Sequence, residues 1–297
     1  FEKIAKEVFP HAKYLALSCL TEPLMTRDFP QRLELLKKYT VPFTEIVTNA
    51  TLLTESIISK IIEASVTRLA ISLDGASAET YEKIRIGSNF KRVIGNIQNL
   101  NEMKELKGTG LPQLRLCHVL SEINIDEFPQ FLELAESLSA ASIDVRTIVP
   151  FRNAYRSSNE AAFFERVNKA RNLLSEWLKK TGISFVGYLR ERAEKIDMLD
   201  GEGNRMTCPV PWNVLAIHAN GDLLPCMTWT RPVLGNIAYQ SFEEIWQGSA
   251  LSAIRKEFEE LRPGSDCRNC EIKKSVPPDE DDDCYFLMLN KRPPEGV

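Results

Sequence analysis

Residues 114–149, LRLCHVLSEINIDEFPQFLELAESLSAASIDVRTIV, contain the pattern that decides the fold. Residues 114–120 and 143–149 are short runs rich in apolar and β-branched side chains, which is typical of buried strands. Between them, residues 126–140 carry apolar side chains at intervals of three and four, which predicts an amphipathic helix. A strand, a helix and a second strand in this order predict two parallel strands joined by a right-handed crossover.

The same alternation continues toward the amino terminus. Strands are predicted over residues 14–18, 45–48 and 69–73, and helices over residues 29–39, 55–64 and 90–107. This pattern predicts the α/β class with a parallel sheet, either doubly wound or rolled into a barrel. If the sheet curls into a barrel, ligand-binding residues lie just beyond the carboxyl ends of the strands, where we find Glu22, Asn49, Asp74 and Ser121.

The sequence changes in character after a long predicted helix at residues 160–181. Residues 212–217, the pair Asn220 and Gly221, and residues 223–224 predict a β-hairpin with a tight turn. Residues 241–261 predict one helix that begins with a capping box of Ser241 and Glu244. We expect the tail at residues 275–297 to be extended or mobile, with its acidic run at 279–283 solvated.

Composition excludes several classes of protein. The 297 residues are 43% hydrophobic and 26% charged, which is typical of a globular protein and excludes disorder as the main state. A formal net charge of -4, from 37 Lys and Arg against 41 Asp and Glu, gives no basic field that would attract nucleic acid. No apolar stretch approaches the roughly 20 residues that span a bilayer, and the first residues lack the pattern of a signal peptide. We therefore expect a cytoplasmic protein with no nucleic-acid or membrane partner.

Four of the cysteines form a set that could bind a metal. Cys208 precedes and Cys226 follows the predicted hairpin, and Cys267 and Cys270 form a C-x-x-C pair after the predicted helix. Four thiolates at this spacing suit either a tetrahedral zinc or a four-cysteine iron-sulfur cluster, because thiolate is the soft ligand that both prefer. The spacing alone does not choose between the two metals. We expect Cys284 to be a free thiol.

The carboxyl-terminal third resembles the SPASM or twitch extension of radical SAM enzymes. The resemblance rests on several separate segments, which are CPVPW at 208–212, NGDLLPC at 220–226, LGNI at 234–237, EEIW at 243–246 and CRNC at 267–270. In that family such a set of cysteines binds one auxiliary [4Fe-4S] cluster. The resemblance therefore implies that Cys208, Cys226, Cys267 and Cys270 are cluster ligands, and it favours iron over zinc.

The first half resembles the radical SAM barrel itself. SCLTEPL at 18–24 is similar to the Gly-Gly-Glu-Pro segment, TNATLL at 48–53 to the Thr-Asn-Gly segment, and SLDG at 72–75 with YEKIRIG at 81–87 to the strand-four region. The resemblance implies that Glu22, Asn49, Ser72 and Arg85 bind S-adenosylmethionine, with Glu22 on the ammonium group and Arg85 on the carboxylate. The chain departs from the family pattern at Leu20, Thr21 and Ala50, where the family has glycine.

A larger departure concerns the catalytic cluster. The family holds that cluster in a C-x-x-x-C-x-x-C loop, and the chain contains no such motif. We expect the loop and the first strand to lie before Phe1, so this chain alone is expected to be inactive. The resemblance implies a partial parallel (β/α)6 barrel at residues 1–185, a SPASM or twitch domain at 186–274, and the tail at 275–297.

The implied activity is that of a radical SAM oxidoreductase or maturase. Such an enzyme produces a 5'-deoxyadenosyl radical, which abstracts hydrogen from a peptide or small-molecule substrate, and it receives electrons from a donor such as flavodoxin or ferredoxin. The alternative is a non-catalytic barrel protein with a structural zinc bound by the four cysteines.

Overall fold

The computed structural model describes residues 1–18, 21–148, 160–189, 210–226 and 233–260. The chain divides into two compact units, one of residues 12–192 and the other of residues 1–11 together with 193–297. Several residues singled out in the sequence lie outside the described ranges, namely Cys19, Leu20, Cys208, Cys267, Cys270, Cys284 and the tail at 275–297.

The unit of residues 12–192 is built on one parallel sheet. Its six strands lie side by side in chain order, and every neighbouring pair is parallel. The strands are β1 (Tyr14–Ala16), β2 (Phe43–Thr48), β3 (Arg68–Ser72), β4 (Gln113–Leu120), β5 (Ser142–Thr147) and β6 (Ser184–Tyr188). The α/β class and the parallel sheet predicted from the sequence are confirmed.

Helices connect the strands and flank the sheet. The α-helices of the described residues are α1 (Glu2–Glu7), α2 (Phe29–Lys38), α3 (Glu55–Glu63), α4 (Ala78–Ile84), α5 (Phe90–Leu106), α6 (Phe128–Ser137), α7 (Glu160–Thr181), α8 (Val210–Asn213), α9 (Phe242–Trp246) and α10 (Ser249–Glu259). Right-handed crossovers between strands that are adjacent in sequence place the crossover helices on one face of the sheet. None of the described helices is long and apolar enough to cross a bilayer.

Strand β6 was not predicted from the sequence. It pairs with β5, and Gly187 lies opposite Val145 with a φ of +128°. A side chain at this glycine would come within 2.2 Å of the Val145 carbonyl oxygen. A glycine inside a short strand weakens the sequence signal. The strand is thus identified by its pairing with β5.

The other unit contains a small antiparallel sheet of β7 (Ala216–Ile217), β8 (Asp222–Leu224) and β9 (Gly235–Asn236). The predicted hairpin is confirmed for β7 and β8, and Gly221 adopts a φ of +90° in the turn. Trp212, which was predicted at the start of the hairpin, lies in α8 instead. The predicted helix at 241–261 is also corrected, because it divides at Gly248 into α9 and α10. The capping box of Ser241 and Glu244 is present.

Helix α1 packs within this second unit. Leu223, Ile237 and Ile245 form its buried cluster, and Ile4 of α1 packs against them. The Glu7 carboxylate accepts a hydrogen bond of 2.9 Å from the backbone N–H of Phe242. An acidic side chain at the first turn of a helix is stabilising because that end carries unpaired N–H groups.

Candidate functional site at the carboxyl edge of the sheet

Three of the four predicted cofactor residues lie at the carboxyl ends of the first three strands, and the fourth, Arg85, reaches the same edge from α4. Glu22 lies in the loop after β1, Asn49 directly follows β2, and Ser72 is the last residue of β3. Thr48 pairs with Ile71, so Asn49 and Ser72 occupy the next level of the same register. Arg85 ends α4 and reaches back to Asp74, just beyond β3. All four residues thus belong to one edge of the sheet, the edge where parallel α/β folds bind ligands.

Glu22 joins the loop after β1 to the end of β2. Its Oε1 accepts hydrogen bonds from Thr48 Oγ1 at 2.6 Å and from the Leu24 N–H at 3.2 Å. Its Oε2 accepts one from the Asn49 N–H at 2.7 Å. A carboxylate has about four acceptor positions. With the donors of the described residues counted, one position on Oε2 therefore remains for a further donor.

The segment after β2 is held in a strained turn. Asn49 Oδ1 accepts from the Thr51 N–H at 2.9 Å and from Thr51 Oγ1 at 2.7 Å. Ala50 has a φ of +58° and is fully buried, in a left-handed conformation that costs a non-glycine residue about 1 to 2 kcal/mol. Asn96 Nδ2 donates to the Ala50 carbonyl at 2.8 Å. Ala50, at a position where the family has glycine, therefore adopts a backbone conformation that favours glycine.

Arg85 is already paired with a carboxylate. Its Nε and Nη2 lie 2.9 and 2.6 Å from Asp74 Oδ2, and Asp74 Oδ1 accepts from the Val119 N–H at 2.8 Å. The Asp74 side chain is 9% exposed and that of Arg85 is 29% exposed. No acceptor for Arg85 Nη1 lies among the described residues. Asp74 thus orients Arg85 and offsets part of its charge.

Three residues that the sequence analysis did not place in the site fix the loop between β3 and α4. Asn124 is fully buried and its Nδ2 donates to the carbonyls of Asp74 and Val119, each at 2.9 Å. His118 Nδ1 donates to the Leu73 carbonyl at 2.7 Å. Burial lowers the pKa of His118, so the ring is neutral. These side chains come from β4 and the turn after it, so only the sheet pairing reveals their role.

Glu127 is the third of these residues, and it accepts four hydrogen bonds at the start of α4. The donors are the N–H groups of Ala76 and Ser77 and the hydroxyls of Ser77 and Thr80, at 2.6 to 3.2 Å. Partial burial acts to raise the pKa of Glu127, but the hydrogen bonds outweigh it and the pKa lies below its ordinary value. A carboxylate three residues after Asn124 carries no recognisable signal in the sequence.

A Gly75→Ala substitution tests how tightly this loop is packed. A methyl group at Gly75 would lie 2.5 Å from the Tyr81 backbone nitrogen and 2.8 Å from its Cα. Because backbone atoms cannot move aside cheaply, we expect a loss of about 1 to 3 kcal/mol in the free energy of unfolding, measured by denaturant titration. The control is Gly95→Ala in α5, where the added methyl meets nothing within 4 Å. The control is expected to stabilise by about 0.5 to 1 kcal/mol. Equal effects of the two substitutions would contradict the tight packing.

Of the four predicted cluster ligands, only Cys226 lies in the described part of the chain. It comes two residues after β8 and is half-buried. Cys208, Cys267 and Cys270 lie outside the described residues. Within residues 1–18, 21–148, 160–189, 210–226 and 233–260, no three His, Cys, Asp or Glu side chains group as metal ligands would.

Comparisons with known proteins match both units. The sequence model of the Radical SAM superfamily matches residues 2–135, and the SPASM model, described as an iron-sulfur cluster-binding domain, matches residues 208–271. These matches fall within the expected 1–185 and 186–274 domains, whose limits stay a prediction. The two domain types imply [4Fe-4S] clusters and S-adenosylmethionine as cofactors.

Individual relatives and a solved structure agree with these matches. The chain is 29% identical over 246 residues to the AdoMet-dependent heme synthase of Methanosarcina barkeri, covering 77% of this chain and 66% of that protein. It is 22% identical over 271 residues to the PqqA peptide cyclase of Granulibacter bethesdensis, covering 85% and 65%. The chain therefore spans just under two thirds of the length of these relatives.

The crystal structure of Streptococcus suis SuiB superimposes with a TM-score of 0.64 at 14% identity, covering 82% of this chain and 57% of that chain. At this identity the likeness concerns the fold alone. Together, the parallel sheet with its polar carboxyl edge and the two matched domains show that the chain belongs to the radical SAM superfamily and carries a SPASM-type iron-sulfur cluster-binding domain.

Proposed function

We propose that this protein is a radical SAM oxidoreductase or maturase that acts on a peptide or small-molecule substrate. The observation that carries the proposal is the Glu22 carboxylate, which joins the ends of β1 and β2 through Thr48 and Asn49 and has one acceptor position that no donor of the described residues takes. This is the chemistry needed to bind an ammonium group at the edge of the sheet.

The other predicted residues supply complementary groups for a zwitterionic amino-acid moiety. Three donor groups at this edge have no hydrogen-bond partner among the described residues. They are Asn49 Nδ2, Arg85 Nη1 and Ser72 Oγ. Donors of this kind can bind a carboxylate, while Glu22 binds the ammonium. We propose that Glu22, Asn49, Ser72 and Arg85 hold S-adenosylmethionine. When bound next to a reduced [4Fe-4S] cluster, this cofactor supplies a 5'-deoxyadenosyl radical that abstracts hydrogen from the substrate.

We propose further that Cys208, Cys226, Cys267 and Cys270 bind one auxiliary [4Fe-4S] cluster. Four cysteine ligands leave no open position for substrate, so a role in electron transfer follows. An electron donor such as flavodoxin or ferredoxin fits this role. The name of one relative, the PqqA peptide cyclase, favours a peptide as substrate. The name of the heme synthase relative supports a small molecule as the second candidate substrate.

The experiment that tests the proposal measures binding of S-adenosylmethionine to the full chain by equilibrium dialysis. Because Glu22 would accept a charge-assisted hydrogen bond from the ammonium, we expect Glu22→Gln to weaken binding by about 10-fold to 100-fold, corresponding to about 1.5 to 3 kcal/mol. The control is Glu133→Ala, since Glu133 is an exposed carboxylate on α6. Its binding is expected to match that of the unaltered protein.

Two results would contradict the proposal. One is that the unaltered protein does not bind S-adenosylmethionine, which would contradict a cofactor site at the carboxyl edge of the sheet. The other is equal affinity of the Glu22→Gln and Glu133→Ala variants, with both variants unfolding at the same temperature as the unaltered protein. The latter result would remove Glu22 from the cofactor site.

A further inference from the structure

The face of the sheet opposite the helices carries polar side chains. Side chains alternate along a strand, and His118 of β4 stacks on Phe131 of α6 with ring centroids 4.1 Å apart. Residues 115, 117 and 119 therefore point to the other face. We call this face of β4 and β5 the inner cup, and its members are Arg115, Cys117, Val119, Ser142, Asp144 and Arg146.

The inner cup opens toward the carboxyl edge of the sheet. Arg115, at the level of Ala70 and Ser142, is 3% exposed. One level closer to the edge, the Asp144 side chain is 13% exposed, and above it the Arg146 side chain is 40% exposed. Exposure thus rises along the strands toward the edge that holds Glu22 and Asn49. Arg115 lies on the floor of the inner cup.

Arg115 has no carboxylate partner among the described residues. Its Nε donates to Ser142 Oγ at 3.0 Å, and no other hydrogen bond of its guanidinium is found within those residues. The other two arginines on the described strands are paired, Arg68 with Glu45 at 2.8 Å and Arg146 with Asp144 at 2.8 Å. A buried charge without a counter-ion is costly. An anion that enters the cup would remove this cost.

The charges of the inner cup sum to a positive value. Asp144 accepts two parallel hydrogen bonds from Arg146 at 2.8 Å, so this pair is neutral. Burial, followed by the Asp144 and Glu45 carboxylates, raises the pKa of Cys117, whereas Arg115 and Arg146 act on it in the opposite direction. These groups therefore surround one neutral thiol. Glu45 is itself paired with Arg68 at 2.8 Å, so Arg115 carries the charge that no carboxylate of the described residues pairs with.

We propose that Arg115 binds a carboxylate group of the substrate at the floor of the inner cup. This inference rests on the proposed function, and it narrows the substrate to acidic molecules. The site is separate from the proposed cofactor residues, because Arg115 lies two residues closer to the amino end of the sheet than the level of Ser72. Asp144 and Arg146 line the path to it.

The test uses a matched pair of small probes with the full, iron-reconstituted chain. N-acetyl-glutamate amide carries one carboxylate, and N-acetyl-glutamine amide is its neutral counterpart. Titrations followed by ligand-observed NMR are expected to show about tenfold or more tighter binding of the glutamate probe. Arg115→Met is expected to abolish this preference, whereas the exposed control Arg27→Met keeps it. Succinate in place of the probe distinguishes a free dicarboxylic acid from a peptide side chain, and preference for either one supports the carboxylate site.

A second variant makes the test independent of folding defects. Asp144→Asn removes the carboxylate that neutralises Arg146, so it is expected to tighten binding of the glutamate probe about threefold or more at low salt. Loss of structure cannot produce tighter binding. Equal binding of the two probes to the unaltered protein would overturn the proposal. So would an Arg115→Met variant that loses affinity for S-adenosylmethionine but not for the glutamate probe, because Arg115 would then bind the cofactor. The probe comparison does not depend on cofactor binding, so it is separable from failure of the proposed function.

Discussion

After reconstitution with iron and sulfide under nitrogen, the protein is expected to be brown and to carry about four irons and four sulfides per chain. The reason is the set of four cysteines, Cys208, Cys226, Cys267 and Cys270, since a cubane cluster needs one thiolate for each iron. Iron and acid-labile sulfide assays give the stoichiometry, and the visible absorbance of the brown protein follows the cluster.

A matched pair of cysteine variants assigns the iron to this set. Cys226→Ala removes one ligand and is expected to lose most of the bound iron. Cys117→Ala is the control, because Cys117 lies in β4 of the other unit and its iron content is expected to stay unchanged. A colourless protein with about one zinc per chain would contradict the cluster and support the structural zinc site formed by the four cysteines. Equal iron loss in both variants would contradict the choice of ligands.

Glu45→Ala is expected to cost about 3 to 5 kcal/mol in the free energy of unfolding. Glu45 and Arg68 lie opposite each other on β2 and β3, with side chains only 2% and 4% exposed, and Arg68 Nη2 is 2.8 Å from Glu45 Oε2. The Tyr14 hydroxyl also donates to Glu45 Oε2. Removing the carboxylate would leave the Arg68 charge buried without a counter-ion, with the Phe43 ring beneath its guanidinium. Arg68 Nε already has no hydrogen-bond partner among the described residues. Denaturant titration measures the loss.

Two further variants separate charge from packing in this cluster. The double variant Glu45→Leu with Arg68→Met removes both charges and keeps apolar volume, so it is expected to recover most of the loss. Glu63→Ala breaks exposed pairs with Lys37 and Lys107 and is expected to cost less than about 1 kcal/mol. A double variant as unstable as Glu45→Ala would show that the shape of the pair, and not its charge, stabilises the sheet.

The local signals in the sequence predicted the elements that depend on neighbouring residues. Periodicity in residues 114–149 predicted the strand, helix and strand because the side chains that alternate or repeat belong to one element. The turn at Asn220 and Gly221 and the capping box of Ser241 and Glu244 were predicted for the same reason. Gly248 was overlooked as a helix break, and β6 was missed because Gly187 weakens its signal.

The candidate site shows most clearly which features the sequence predicts and which depend on the tertiary structure. The sequence by itself determined that Glu22, Asn49 and Ser72 fall at strand ends, because the carboxyl ends of parallel strands share one edge. Only the tertiary structure decided which groups are free to bind a ligand. Asp74 forms an ion pair with Arg85, while Arg115 has no carboxylate partner among the described residues. Pairing of this kind joins residues that are far apart in the chain, as Glu127 joins Ser77. Hydrogen bonds and charge pairs depend on distance in space, and the order of residues along the chain does not contain that distance.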